Sequence, residues 1–154
     1  MNILLIGRGR MGRLIEQTAG VMGDTVVAAV GRDDLASLDT LGAEADVVMD
    51  FSSPAALSAV AAYVRRTGTP LLSGTTGYTP EQMKTFDHLG QFAPVLHSAN
   101  FSVGIAVLRR VLEQISDVLR PDFDIEIVET HHNQKADAPS GTAKLLLEAI
   151  DPRH

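Results

Sequence analysis

Asn2 to Gly7 reads as a short buried strand, Gly7-Arg8-Gly9-Arg10-Met11-Gly12 follows it directly, and a helical pattern then runs from Met11 to Val21. Few local patterns restrict a fold so tightly. Glycines at this spacing let the backbone turn beneath a pyrophosphate, where a side chain would block either the phosphate or the close packing of helix on strand. The helix start adds partial positive charge. A G-x-G-x-x-G run is weak evidence on its own, but here it stands between a strand and a helix, which is the context the motif requires. The chain is therefore expected to open with a dinucleotide-binding unit, with Gly7, Arg8, Gly9, Arg10, Met11 and Gly12 as candidate cofactor-binding residues.

The second strand, Thr25 to Val30, ends about 20 residues beyond the glycine turn, where such folds read the adenine ribose. An acidic residue there favours NAD. This chain has Gly31-Arg32-Asp33-Asp34 instead. A guanidinium suits a 2′-phosphate, so NADPH is expected over NADH, although Asp33 or Asp34 can still reach the ribose. Further strands are read at Ala45 to Phe51, Thr69 to Ser73 and Pro94 to His97, with helices at Pro54 to Arg66 and Glu81 to Leu89 between them. Strands alternating with helices imply an α/β fold, a Rossmann-like parallel sheet with helices on both faces. Ligands bind such sheets at the carboxyl ends of the strands. The glycine turn and the loops at Asp50, Gly74 and Asn100 all fall on that edge.

After Gly104 the pattern changes. Apolar residues from Ile105 to Leu119 recur at helical spacing. Phe123, Ile125 and Ile127 then alternate with Asp124 and Glu126, which predicts a half-exposed strand. Residues 1–102 are thus assigned to the dinucleotide-binding domain and 103–154 to a partial, incomplete α+β substrate domain. Its loop, Glu129 to Thr142, carries the densest chemistry in the chain: His131 and His132, Lys135, then Pro139-Ser140-Gly141-Thr142 opening a last helix with Ser140 as N-cap. Histidine exchanges protons near neutrality, lysine holds carboxylates, and a helix start offers N–H groups to an anion. A small anionic substrate fits that set. The net charge of -6 weighs against nucleic acid or an anionic membrane as a main partner. With no cysteine and no i, i+4 histidine pair, no metal site is expected. The N-terminal apolar run is too short for a signal peptide and nothing approaches a membrane span, so a soluble cytoplasmic protein is expected.

With these motifs in hand, the chain resembles the dihydrodipicolinate reductase (4-hydroxy-tetrahydrodipicolinate reductase) family of the diaminopimelate and lysine pathway. The resemblance rests on Gly7 to Gly12, Asp50-Phe51-Ser52, Gly74-Thr75-Thr76-Gly77, Ala99-Asn100-Phe101-Ser102-Val103-Gly104, and Glu129 through Thr142, in the family's order. It implies NAD(P)H-dependent reduction of 4-hydroxy-tetrahydrodipicolinate to tetrahydrodipicolinate. By the same resemblance, Gly7 to Gly12, Gly74, Thr75, Thr76, Ser98, Ala99, Asn100 and Phe101 line the dinucleotide, and Arg32 meets a 2′-phosphate. The position before Arg32, acidic in many members, is Gly31 here. His131 matches the proton donor or acceptor, Lys135 a second proton donor, and His132 a substrate contact. Gly141 and Thr142 match the carboxylate-binding backbone, and the Ser140 helix start can supply N–H partners to a carboxylate. A hinge is implied near Ser102 to Gly104. The glycine turn is one residue shorter than in many members. Family members also continue well past residue 154, completing a mixed sheet that carries much of a homotetramer contact. Two other functions fit the residues less well: a shortened module that binds a dinucleotide without turnover, which would leave the stripe from Ile105 to Leu119 exposed, and another nicotinamide dehydrogenase of similar build.

Overall fold

The apolar runs form five short strands, β1 (Asn2–Ile6), β2 (Thr25–Val30), β3 (Val47–Asp50), β4 (Leu71–Ser73) and β5 (Val95–His97), paired in parallel in the order β2-β1-β3-β4-β5. They belong to a computed structural model describing residues 1–133 and 138–151, divided into two units, Met1–Ser98 and Ala99–His154. Parallel neighbours require crossovers. In the first unit these are α1 (Arg10–Met22), a 3-10 helix (Arg32–Asp39), α2 (Leu57–Thr67, entered through a 3-10 turn at Pro54–Ala56) and α3 (Pro80–Leu89). Left-handed glycines end two of the helices, Gly23 at φ 78° and Gly68 at φ 70°. Thr79 starts α3 with a reciprocal capping box to Gln82, and Pro80 occupies the first turn.

Register places the strand ends in one row. Val30 pairs with Ile6, Ile6 with Asp50, Asp50 with Ser73 and Ser73 with His97. Every loop that leaves the carboxyl end of a strand therefore starts from the same edge.

Alternation along the strands decides how the sheet is covered. Leu4, Ile6 and Val48 join the main core with Val60, Tyr63 and Val64 of α2 and Phe86 and Leu89 of α3. Each such buried aliphatic side chain stabilises the fold by roughly 1.5–3 kcal/mol. On the opposite face Ile3 and Met49 meet α1 around an apolar cavity of about 270 Å³. Helices thus lie on both faces, unevenly packed: α1 buries only Gly12 and Ala19 and leaves Leu14 and Met22 exposed.

In the second unit α4 (Val103–Leu119) and α5 (Gly141–Ile150) pack on each other. Ser102 and Ser140 cap them, accepting from the N–H groups of Ile105 and Ala143. Arg120 bonds Asp117 and reaches Asp151 at 3.6 Å, tying the two helices' ends together. Much of the α4 stripe remains open: Val107 is 58% exposed and Val118 75%. The strand expected over Phe123 to Ile127 is not formed, and residues 123–132 have no regular secondary structure. Alternation records which side chains share a face, whereas a strand also needs a neighbour for its N–H and C=O groups. No described residue of this unit supplies a ladder. No described helix is long and apolar enough to cross a membrane.

Candidate active site

The three glycines of the first turn are there for different reasons. Gly7 sits at φ +106°, and a Cβ on it would stand 2.3 Å from the Phe51 carbonyl oxygen. A Cβ on Gly12 would stand 1.9 Å from the Gly7 carbonyl oxygen. Both are packing requirements. Gly9 faces open space, and a Cβ there would meet nothing within 4 Å, so its lack of a side chain leaves room rather than avoiding a clash. Gly9 is also the N-cap of α1, with no side-chain cap and no acidic residue in the first turn. A helix start that nothing neutralises, under a bare backbone, is what a pyrophosphate requires. The residues present therefore fit a dinucleotide. A cavity of about 430 Å³ opens there, lined among others by Gly7, Arg8, Gly9, Gly31, Arg32 and Ser52.

Within that neighbourhood the sequence-predicted residues divide. Arg32 begins the 3-10 helix, exposed, at the cavity. Arg8 instead turns to the end of β2. Its Nε and Nη2 donate to the Ala29 carbonyl at 3.1 and 2.6 Å, and its Nη1 pairs with Asp34 at 2.6 Å. Gly31 is not forced by space, since a Cβ there would touch Arg8 and Asp34 at ordinary distances of 3.5–3.6 Å. Arg10 is exposed at the start of α1, and the Met11 side chain lines the apolar cavity under α1 rather than the one at the glycine turn.

Two strands along, Gly74 follows β4. A Cβ there would lie 2.2 Å from the Phe51 ring, so the aromatic side chain fixes this glycine. Thr75 is buried, its Oγ1 accepting from the Ser52 N–H at 2.9 Å, while Thr76 is exposed. Ser98 continues β5, its N–H donating to the Ser73 carbonyl at 3.1 Å.

Beneath the loop lies a polar cluster that motif reading does not find. Asp50, 1% exposed, accepts from the hydroxyls of Ser52, Ser73 at 3.0 Å and Tyr78 at 3.1 Å. In the sequence Asp50 and Ser52 stand together in the Asp50-Phe51-Ser52 motif, but no local pattern joins them to Ser73 and Tyr78. Burial, with Asp50 nearby, pushes the Tyr78 phenol up to about 12. The folded protein thus keeps the phenol protonated beyond the ordinary value of 10.0, so this contribution to stability is full below about pH 10 and is lost as pH rises toward 12. Urea unfolding across that window should show the decline in the parent and a flatter profile in Tyr78→Phe; equal slopes would place the loss in other groups.

In the second unit, Glu129 organises the start of α5. Its Oε1 accepts the Ser140 N–H at 2.8 Å and its Oε2 the Ser140 hydroxyl at 2.6 Å. The same serine oxygen accepts the Ala143 N–H at 3.0 Å. Ser140 thereby shapes the helix start, where the N–H groups of Gly141 and Thr142 precede the first intrahelical acceptors. Asn100 adds a brace, donating from Nδ2 to the Thr142 hydroxyl at 2.8 Å and accepting the Ser102 N–H at 2.7 Å. His131 Nδ1 lies 3.6 Å from Glu129 Oε2. His132, like Phe101, is exposed, and Ala99 is half-buried. Lys135 lies outside the described residues. Among the described residues, no group of three or more histidine or carboxylate side chains is placed to hold a metal.

Residues 1–101 match the family described as dihydrodipicolinate reductase, N-terminus, and residues 104–154 the one described as dihydrodipicolinate reductase, C-terminus. Among curated relatives, the 4-hydroxy-tetrahydrodipicolinate reductase of Exiguobacterium sp. is 43% identical over 99% of this chain and 62% of its own length. That of Clostridium tetani is 40% identical over 97% of this chain and 63% of its own length. The chain therefore spans less than two thirds of these relatives. A dipicolinate-bound dihydrodipicolinate reductase from Paenisporosarcina sp. TG-14 superposes with a TM-score of 0.69 at 22% identity, over 99% of this chain and 66% of that one, which shows the fold. Glycine turn, Gly74 loop and capped α5 start all fall within matched residues, and the chain belongs to the dihydrodipicolinate reductase family.

Proposed function

We propose that this chain catalyses the nicotinamide-dependent reduction of 4-hydroxy-tetrahydrodipicolinate to tetrahydrodipicolinate, in which the 4-hydroxyl leaves as water and a hydride and a proton are added to the ring. The observation that carries the proposal is the start of α5. Glu129 takes the Ser140 N–H and hydroxyl and so leaves the N–H groups of Gly141 and Thr142 as a ready carboxylate site. A dicarboxylate substrate needs such partners, and Lys135 is assigned a cationic contact and the role of second proton donor. A bound nicotinamide supplies the hydride. His131 supplies a proton to the reduced ring, its Nδ1 lying 3.6 Å from the clamped Glu129 carboxylate. His132 contacts the substrate. Gly7, Gly9 and Gly12 shape the pyrophosphate turn, with Arg8, Arg10 and Met11 contributing backbone or stem. Gly74, Thr75, Thr76, Ser98, Ala99, Asn100 and Phe101 are assigned to the nicotinamide half. The test is a coupled assay in which the product of dihydrodipicolinate synthase is supplied with NADPH and the nicotinamide absorbance is followed. Steady consumption that requires the synthase supports the proposal. No consumption alongside normal cofactor binding favours a dinucleotide-binding module without turnover, a reading that the exposed α4 stripe also fits.

NADPH is the assigned cofactor in preference to NADH. Arg32 stands exposed at the cavity, Gly31 presents no carboxylate to a ribose, and Asp34 is held by Arg8. A charge-assisted bond to a 2′-phosphate contributes about 1.5–3 kcal/mol, so NADPH should bind at least roughly tenfold more tightly than NADH. Arg32→Ala should bring the two affinities together in a fluorescence titration. Equal affinities in the parent would remove Arg32 from this role.

A further inference from the structure

A dinucleotide lying along the row of strand ends has a fixed direction. The pyrophosphate turn follows β1 and the adenosine end is assigned to the end of β2, so the nicotinamide half must run the opposite way, past β3 to β4. Neighbouring strands are about 4.8 Å apart, which puts the end of β4 roughly 10 Å from that of β1. The first loop it meets there is Gly74 to Gly77.

Thr75 holds this loop, and it is gripped from two sides. Its Oγ1 accepts the Ser52 N–H at 2.9 Å, and its carbonyl accepts from His97 Nε2 at 3.0 Å. A carbonyl only accepts, so Nε2 carries the hydrogen. Neither grip is independent. The Ser52 hydroxyl is bonded to Asp50, and the His97 ring is stacked on Phe86 at 4.9 Å and edge-on to Tyr78 at 5.5 Å. Tyr78 closes the circuit by donating to Asp50 at 3.1 Å across 28 residues. Among the described residues no cation pairs with Asp50, and its buried carboxyl group is met by three hydroxyls. Such a buried group holds its donors tightly, because each one lost leaves a buried acceptor unsatisfied.

We propose that Tyr78 and Asp50 are positioning residues for the nicotinamide half of the cofactor, acting through Ser52 and Thr75; the proposal rests on the cofactor assignment made above. Tyr78→Phe is the sharp probe, since it keeps the ring against Phe86 and His97 and removes one donor to Asp50. Affinities are measured by calorimetry for NADPH and for ADP-ribose 2′-phosphate, which is the same molecule without its nicotinamide base. Tyr78→Phe should weaken NADPH by roughly tenfold, the equivalent of one such hydrogen bond, and leave ADP-ribose 2′-phosphate within about twofold of the parent. Ser73→Ala, which removes a second donor to the same carboxylate, should act likewise and serves if Tyr78→Phe does not fold. Equal loss for both ligands would make the cluster a general structural support and overturn the proposal, as would no loss for either. A parent protein that binds neither ligand would overturn the cofactor assignment itself, and this proposal with it.

Discussion

In a parent preparation that turns over in the coupled assay, His131→Gln should lower kcat by about 100-fold or more while KM moves only a few-fold. Glutamine preserves polarity and approximate length but cannot deliver a proton at neutral pH. The substrate carboxylate is assigned elsewhere, to the N–H groups of Gly141 and Thr142, which the substitution leaves alone. The lost transition-state stabilisation corresponds to about 2.7 kcal/mol, at 1.36 kcal/mol per tenfold change. Glu129 adds a geometric reason. Ser140 clamps its carboxylate through two hydrogen bonds, at 2.8 and 2.6 Å, so the group 3.6 Å from His131 Nδ1 is itself fixed. Steady-state kinetics with the substrate generated in situ decides the matter. Unchanged kcat sinks the assignment of His131, and a rise in KM alone would make it a binding residue.

Gly12→Ala should be the most damaging single methyl in the first unit. The new Cβ would lie 1.9 Å from the Gly7 carbonyl oxygen and 3.7 Å from a Leu5 methyl. The glycine turn cannot retreat cheaply, because the Gly7 N–H is bonded to the Val30 carbonyl at 2.8 Å and a Cβ on Gly7 already has no room. A loss of about 3 kcal/mol is expected, the upper range for overpacking, together with dinucleotide binding too weak to measure. Gly9→Ala is the control. Its methyl enters open space, so stability should hardly change while phosphate contact suffers. Chemical unfolding and calorimetry on the pair check this; similar stability losses at both positions would refute the division between packing and ligand glycines.

How much of this was legible depended on the range of the interactions concerned. The opening strand, turn and helix could be read because glycine spacing records local sterics, and the alternation of strands and helices gave the parallel sheet. The 3-10 helix Arg32–Asp39 could not, since eight residues with a polar start satisfy neither a helical nor a strand period. Phe123 to Ile127 misled for the opposite reason: the period was present, but no described residue supplies the hydrogen-bonding neighbour. Around the candidate site, the residue types in Glu129 to Thr142 announced proton and anion chemistry. The use made of Ser140 was hidden, because whether its N–H serves a ligand or Glu129 is decided by a fold-back over 11 residues. The Asp50 cluster joins residues 23 and 28 apart, beyond any motif window.

The uneven covering of the sheet bears on how the first unit breathes. The face under α2 and α3 holds the dense core, whereas α1 rests over an apolar cavity with Leu14 and Met22 in solvent. Local opening starts where few apolar contacts must be surrendered, so the amides of α1 are expected to exchange ahead of those of α2 and α3. The pyrophosphate turn heads that same helix. A dinucleotide would therefore act as a latch, with part of its binding free energy used to quiet α1, and its arrival would register as slowed exchange along the whole helix.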